Sequence, residues 1–451
     1  MSRKLLIVVV ALTLMLSFGF AQEYQWVFKN VLVDYNLPQS NGYGIHGVVV
    51  DPDGNIWVGL HGIMTDTLFT GTDTIPLNPI YVYSPDGNQV SFSPIKFITV
   101  NGDVDTLNSD LKCKGLHLDN NGNILYSAGA YALYRINYKT GEGMNKFLAP
   151  ISSSITEAAC DKNGYIYFGY VLGGDKPVHI LDPDFNYLGD AIDTLGYINR
   201  TMEVSADGKD LYTGSTWLGF GIVKYHSDLP GVLKFEPVDT IGNWDSVYVP
   251  ETDTTYYDVK LWASSLDWGP DSLLWAGNLR DDWSSGGAGT GSKWYAFDVN
   301  TGDIVYTVGN PYPTPANEGG IYSPRGAAWS PDGKTMYLAD YDYNCVTVWE
   351  KQPTAIKEGG QIVARVFNLY ANYPNPFNPT TTIPFELKKR AHVELKVFDV
   401  QGREIATLVN QTMDMGVHKF EYNASNLSSG IYFYQLRVDG MTLTRQMILV
   451  K

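Results

Sequence analysis

The chain has 451 residues, 44% of them hydrophobic and 13% aromatic, and a formal net charge of −16. That length holds two domains with ample core, and the acidic balance argues against nucleic acid and anionic membrane surfaces, which need a basic face. Three cysteines, Cys113, Cys160 and Cys345, are too few for a disulfide framework; small buried hydrophobes, or one disulfide with a free thiol, both stay open.

Arg3 and Lys4 precede an apolar run from Leu5 to Leu16 that closes on Gly19-Phe20-Ala21. A basic start, a short apolar stretch and a small-residue end predict a signal peptide over 1–21, cut near Ala21 before Gln22. The run is short of the roughly 20 residues a membrane span needs, and no later stretch is apolar enough to cross a bilayer. Its removal takes two cations and no acid, leaving a mature charge of about −18.

From Gly44 to Trp349 one pattern recurs: an apolar strand, a tight Asp/Asn-Gly turn, then a strand with an aromatic and a small residue. Its copies open their turns at Asp51, Asp119, Asp161, Ser205, Gly269 and Ser330. Asp at the start of such a turn bonds its own backbone two residues on, and Gly supplies the positive φ that returns the chain. The fifth copy, Leu266 to Trp275, lacks the glycine. The copies at Asp119, Asp161 and Ser205 are spaced by about 42 to 44 residues, near the length of a four-stranded propeller blade. Wider intervals elsewhere are insertions. Second hairpins follow the first, as at Tyr131 to Asn137 with Gly143 to Leu148. No segment has a helical period. The reading is all-β, with a six-bladed β-propeller over 22–350. Its last blade shows three strands, and Tyr24 to Leu32 is expected to supply the fourth and close the ring.

The stretch Arg325-Gly326-Ala327-Ala328-Trp329-Ser330-Pro331-Asp332-Gly333 and its sister copies resemble NHL-repeat propellers and gluconolactonase-like calcium lactonases. That pattern is a folding motif and discriminates poorly among functions.

In such a blade the innermost strand starts at the mouth of the central channel. Five residues before each turn stand His46, Lys114, Thr156, Arg200, Ser264 and Arg325. The lactonases resembled here need Glu, Asn and Asp there, because Ca²⁺ takes hard oxygen ligands. The set has none of those types, and a shift by one position adds only Glu157 and Asn199. No cofactor or metal is therefore assigned, with Ca²⁺ left open, and the Asp51-Pro52-Asp53-Gly54-Asn55 stretch reads as a turn.

His46, Lys114, Arg200 and Arg325 make a basic mouth on an acidic protein. Two readings compete: an anion held by bidentate arginines, or side chains paired with nearby acids and wall carbonyls. His46 is the one candidate general base. The face loops, 62–79, 238–259, 279–292 and 310–323, carry Trp244, Tyr256, Trp283, Asp282 and Tyr322. Aromatics beside carboxylates suit stacking on sugar rings; the plainer reading packs the rings down and leaves the acids in water.

A polar linker is expected over 351–366. Strands then follow at Thr381 to Leu387, His392 to Asp399, Glu404 to Val409, Gly416 to Tyr422, Gly430 to Val438 and Thr442 to Val450. Six or seven short strands predict a small immunoglobulin-like sandwich over 367–451. This segment carries Pro374-Asn375-Pro376-Phe377, Gly402, Gly416, Gly430, Tyr432 and a terminal Lys451. It closely resembles the type A C-terminal sorting domain of the type IX secretion system of Bacteroidetes-like bacteria. That resemblance implies the export machinery as a partner, passage through the periplasm, and an extracellular or outer-surface destination. Together these features predict an exported binding or interaction module for a glycan or extracellular polymer. The alternative is a hydrolase or lyase acting on an anionic sugar or lactone at the channel mouth.

Overall fold

The computed structural model describes residues 24–35, 43–129, 131–171, 176–196, 199–215, 221–249, 254–279, 292–311, 313–353, 356–358, 361–363, 367–370, 372–387, 390–438 and 441–451. The chain divides into two compact units, one running from Trp26 to Gln352, the other holding Pro353 to Lys451. Among the described residues there is no α-helix, only a short 3₁₀ turn at Ala316–Glu318.

The first unit is the six-bladed propeller. Its innermost strands are Gly44–Val50, Cys113–Leu118, Ala159–Cys160, Thr201–Val204, Ala263–Trp268 and Pro324–Trp329. Each touches the innermost strand on either side, and Pro324–Trp329 comes back against Gly44–Val50, so the ring is closed. Blades two to five are four-stranded antiparallel meanders, and the sixth takes Tyr24–Asp34 as its outer strand beside Cys345–Pro353. The expected closure by the N-terminal strand is thus present. Trp26 meets Trp275 edge-on at 6.2 Å and Phe28 meets Trp349 at 5.5 Å. The first blade has three regular strands; an irregular segment bridging Tyr83 to Gln89 and Ile80 to Ile95 stands in the fourth place.

The turns form as their residue types dictate. Asp51 Oδ1 accepts from the amides of Asp53 and Asn55 at 3.0 and 2.9 Å, and its Oδ2 from Trp57 Nε1 at 3.0 Å. Asp119 and Asp161 repeat this with their own amides two and four residues on. The blades that open on Ser205 and Ser330 use the hydroxyl instead, accepting from Asp210 N and Thr335 N, each at 3.0 Å. In the fifth copy Ser272 takes the left-handed conformation itself, at φ 61°. Small cores between blades, built on Trp57, Tyr126, Tyr167, Trp275 and Trp294, hold the meanders together.

Three of the predicted face insertions are hairpins or short ladders: Asp66–Phe69 with Thr74–Leu77, Asn243–Val249 with Thr254–Lys260, and the parallel pair Asn310–Pro311 and Gly320–Ile321. The third insertion expected, 279–292, lies largely outside the described residues, as does the predicted signal peptide. A further hairpin, Phe97–Val100 with Asp103–Thr106, escaped sequence reading because it sits between two blades and carries no repeat residue. The expected linker is not featureless either: Ile356–Glu358 pairs with Gln361–Val363.

The second unit is a seven-stranded sandwich. One sheet runs Phe367–Leu369, Thr380–Leu387, Gly416–Asn423; the other joins Glu404–Met413, Ala391–Phe398, Gly430–Val438 and Met441–Leu449. Alternate residues of Ala391–Phe398 point inward, and Val393, Leu395 and Val397 are fully buried against Phe385, Tyr434 and Leu436. Phe377 of the Pro-Asn-Pro-Phe motif is buried in this core. Its N–H and C=O pair with Ile448 and Val450, while Asn375 Oδ1 accepts from Ile448 N at 2.8 Å. Gly402 and Gly416 have positive φ, at 79° and 134°. Tyr432 donates to Ser428 O, and Lys451 Nζ donates to Ser425 O. Asn375, Phe377 and Lys451 thus hold the C-terminal end of the chain in place.

Candidate functional site

The six innermost strands run in one sense around the axis, so equivalent residues converge. The four residues of the predicted basic mouth, His46, Lys114, Arg200 and Arg325, do come together. Arg200 in blade four reaches His46 in blade one, its Nη2 hydrogen-bonded to His46 Nε2; in a six-membered ring those blades stand opposite, so the bond spans the channel. Thr156 Oγ donates to the carbonyl of Arg200, and Ser264 Oγ donates to Pro324 O at 2.9 Å, which ties the strand starts to one another.

Two further residues join them that sequence reading missed. His61 stacks obliquely on His46 at 5.1 Å, and Tyr341 stands 5.8 Å from His46 and 5.6 Å from the Arg325 guanidinium. His61 ends the strand after a repeat turn, Ile56–His61, and Tyr341 directly follows the equivalent strand Thr335–Asp340. That strand returns to the same mouth, so counting forward from the turn as well as back would have found them.

The charges here repel one another. Burial first, then the fields of Arg200, His61, Arg325 and Lys114, hold His46 well below the usual imidazole range, so it is neutral. Burial, with Arg200 and Lys112 nearby, pushes Lys114 down to about 7. Burial and Arg325 push Arg200 down to about 9. Among the described residues no carboxylate lies within ion-pair distance of Lys114, Arg200 or Arg325. Arg325 Nη1 donates to the wall carbonyl of Pro324 at 3.0 Å, but Nε of Arg200 and Nε of Arg325 are shielded and meet no acceptor. The mouth thus gathers Lys114, Arg200 and Arg325, with Glu157 near Arg200 and Asp340 and Asp342 near Arg325 but none of these carboxylates paired with them.

The predicted face residues behave differently. Tyr322 is half-buried with its ring 5.6 Å from Tyr343, and its amide donates to Asp340. It belongs to the loop packing. Trp244 and Tyr256 lie on the two strands of one hairpin; their side chains, and all of Asp282 and Trp283, are outside the described residues.

Two positions before the turn, the same innermost strands carry a second layer of opposite character: His117, Glu203 and Asp267, with Glu157 above them. His117 Nε2 is 3.1 Å from Glu203 Oε1, and Asp267 Oδ2 accepts from Ser265 Oγ at 3.1 Å and Ala327 N at 3.0 Å. His117, Glu203 and Asp267 floor a cavity of about 700 Å³ that opens on the turn face. Counting two residues back instead of five would have found them. All three cysteines are free thiols, Cys113 and Cys345 buried and Cys160 half-buried at this cavity. Among the described residues no group of three His, Cys, Asp or Glu side chains is arranged to hold a metal.

Comparison with curated proteins returns no match. Among solved structures, the chain is similar to PorZ, an essential bacterial surface component of the type-IX secretion system of Porphyromonas gingivalis. That likeness has 17% identity and a TM-score of 0.39, covering 90% of this chain and 51% of that one. The chain therefore spans about half the length of PorZ. It is also similar to virginiamycin B lyase of Staphylococcus aureus, at 15% identity and a TM-score of 0.40, covering 81% and 97%. At such TM-scores neither likeness bears on function. Residues 371–451 match the family model of the secretion system C-terminal sorting domain, so the sandwich that ends this chain is a sorting tail.

Proposed function

We propose that the chain is an exported binding protein whose propeller takes an anionic ligand at the channel mouth, a carboxylated sugar of an extracellular glycan being the class that fits. The sorting tail directs export by the type IX system to the cell surface or the medium, with the export machinery as its partner. On this reading a signal peptide, cut near Ala21, first carries the chain to the periplasm. The observation that carries the ligand class is the set Lys114, Arg200 and Arg325, drawn together at one mouth with no carboxylate in ion-pair distance among the described residues. A uronate carboxylate would accept charge-assisted bonds from the Lys114 ammonium and the guanidinium Nη groups of these half-buried side chains.

Binding is favoured over turnover because Nε2 of the candidate base, His46, is already engaged by Arg200, whose charge lowers its basicity. The test is calorimetry of the mature chain with galacturonate and with galactose, together with Arg325→Gln. Uronate should bind and galactose should not, and the variant should weaken uronate by about tenfold or more. Equal affinity for the two sugars would end the anion reading. Turnover of uronides or lactones that Arg325→Gln abolishes would transfer the site to the hydrolase or lyase reading.

A further inference from the structure

The cavity on the turn face differs from the channel mouth in its acidic floor and aromatic walls. It is walled by Val49, Val50, Ala327 and Ala328 and by the half-buried rings of Trp268 and Trp329. Trp268 is fixed by its Nε1, which donates to Val204 O at 2.8 Å, and Trp329 packs on Trp275 at 5.7 Å. The floor is acidic. Asp267 is only 6% exposed, yet both of its hydrogen bonds, from Ser265 Oγ and Ala327 N, go to Oδ2. Among the described residues no side-chain or backbone hydrogen bond goes to its Oδ1, and Asp267 lines the cavity.

The groups facing Asp267 are Glu203 from Thr201–Val204, His117 from Cys113–Leu118, and Glu157 just ahead of Ala159–Cys160. Three carboxyl groups thus cluster here, and two of them, Glu203 and Asp267, act on the imidazole of His117. Two aromatic walls over an acidic floor, with one carboxyl oxygen unused, match a cation on an apolar body: the rings favour it by cation–π attraction and the carboxylate by a charge-assisted bond. A cavity of about 700 Å³ accommodates a small molecule rather than a chain.

We propose that this cavity is a second binding site, distinct from the anionic one, for a small organic amine whose ammonium group bonds Asp267 Oδ1 and whose apolar body lies against Trp268 and Trp329. Burial, then the charge of Glu203, holds the Asp267 carboxyl well above the usual carboxylate range in the empty protein. Binding an ammonium there makes the carboxylate the favoured form, so the amine enters as Asp267 gives up its proton. Burial opposes the charging of His117, but Glu203 and the Leu118 carbonyl outweigh it and push His117 up to about 9. It therefore stays the fixed partner of Glu203 and is not the group that titrates.

The experiment compares phenethylamine with the neutral 2-phenylethanol and the anionic phenylacetate, by calorimetry on the mature chain in two buffers of different ionisation enthalpy. The amine should bind about tenfold or more tighter than either analogue and should release a proton at neutral pH. Asp267→Asn, isosteric with the protonated acid and so compatible with the fold, should erase the preference for the amine. Arg325→Gln should leave it intact, which separates this site from the channel mouth. Failure of the amine to bind, equal affinity for all three probes, or a preference that survives Asp267→Asn would each overturn the proposal. On the unmodified chain, amine affinity should rise with pH as Asp267 becomes easier to ionise; a flat profile would overturn it independently of any variant.

Discussion

Raising the pH from 7 to 9 should strip the channel mouth of most of its affinity for a uronate. Lys114 is pushed down to about 7 by burial and by Arg200 and Lys112, against an ordinary lysine value of 10.5. In the free protein it therefore loses its proton across this interval. A bound carboxylate holds it charged, so binding above pH 7 takes up a proton, and the logarithm of the association constant falls by about one per pH unit. Because the free lysine is already half deprotonated at pH 7, the fall over the interval is about fiftyfold, or about 2.3 kcal/mol. Arg200, pushed down to about 9, adds to the fall only at the top of the range, and the neutral His46 and His61 add nothing. The assay is calorimetry with galacturonate at pH 6, 7, 8 and 9. Lys114→Gln should bind more weakly at pH 6 and show a flat profile up to pH 8. A flat profile in the unmodified chain, or proton release on binding, would refute the reasoning. Without ligand the sign reverses. The folded chain binds fewer protons than the unfolded chain between about 7 and 10.5, so the contribution of Lys114 to stability rises with pH through that window.

Asp51→Ala should cost about 3 kcal/mol or more, because it leaves the fully buried Trp57 N–H and two turn amides without their acceptor; a urea denaturation loss under about 1 kcal/mol would contradict this. A chain starting at Asp34, lacking the outer strand of the sixth blade, should melt lower by several degrees, as the Trp26 and Phe28 ring contacts go with it. An unchanged melting temperature would show that the ring does not depend on that strand. Tyr434→Phe should destabilise the sorting tail by about 1–2 kcal/mol, since this buried hydroxyl donates to Tyr370 O at 2.8 Å and accepts from Asn372 N at 2.9 Å. Differential scanning calorimetry should show the tail transition moving while that of the propeller stays, because the two units have separate cores.

Much of the fold was legible because its determinants are local. Asp51, Asp119 and Asp161 bond amides two and four residues ahead, so the turn can be read from one short window of sequence. The fifth turn was legible despite its missing glycine, since the flanking strands kept their pattern and Ser272 could take the left-handed conformation. The hairpin at 97–106 was not, because alternation in four-residue strands is too brief to stand out. At the site, the register count from the turn brought His46, Lys114, Arg200 and Arg325 to one ring. The same count stopped at five residues, and so passed over His117, Glu203 and Asp267 on the very same strands.

By itself, then, the sequence determined the blade, the blade number, the sandwich and the sorting tail, all of which rest on contacts within a hairpin or on motifs read in line. Only the closed ring decided which charges face each other. The bond from Arg200 to His46 joins residues 154 apart, and that from His117 to Glu203 residues 86 apart. Such pairs exist because six blades around a closed ring bring distant strands to one axis, where burial and neighbouring charges set the protonation of each group. A residue's type is written in the chain, but its charge and its partner depend on what the fold places across the channel.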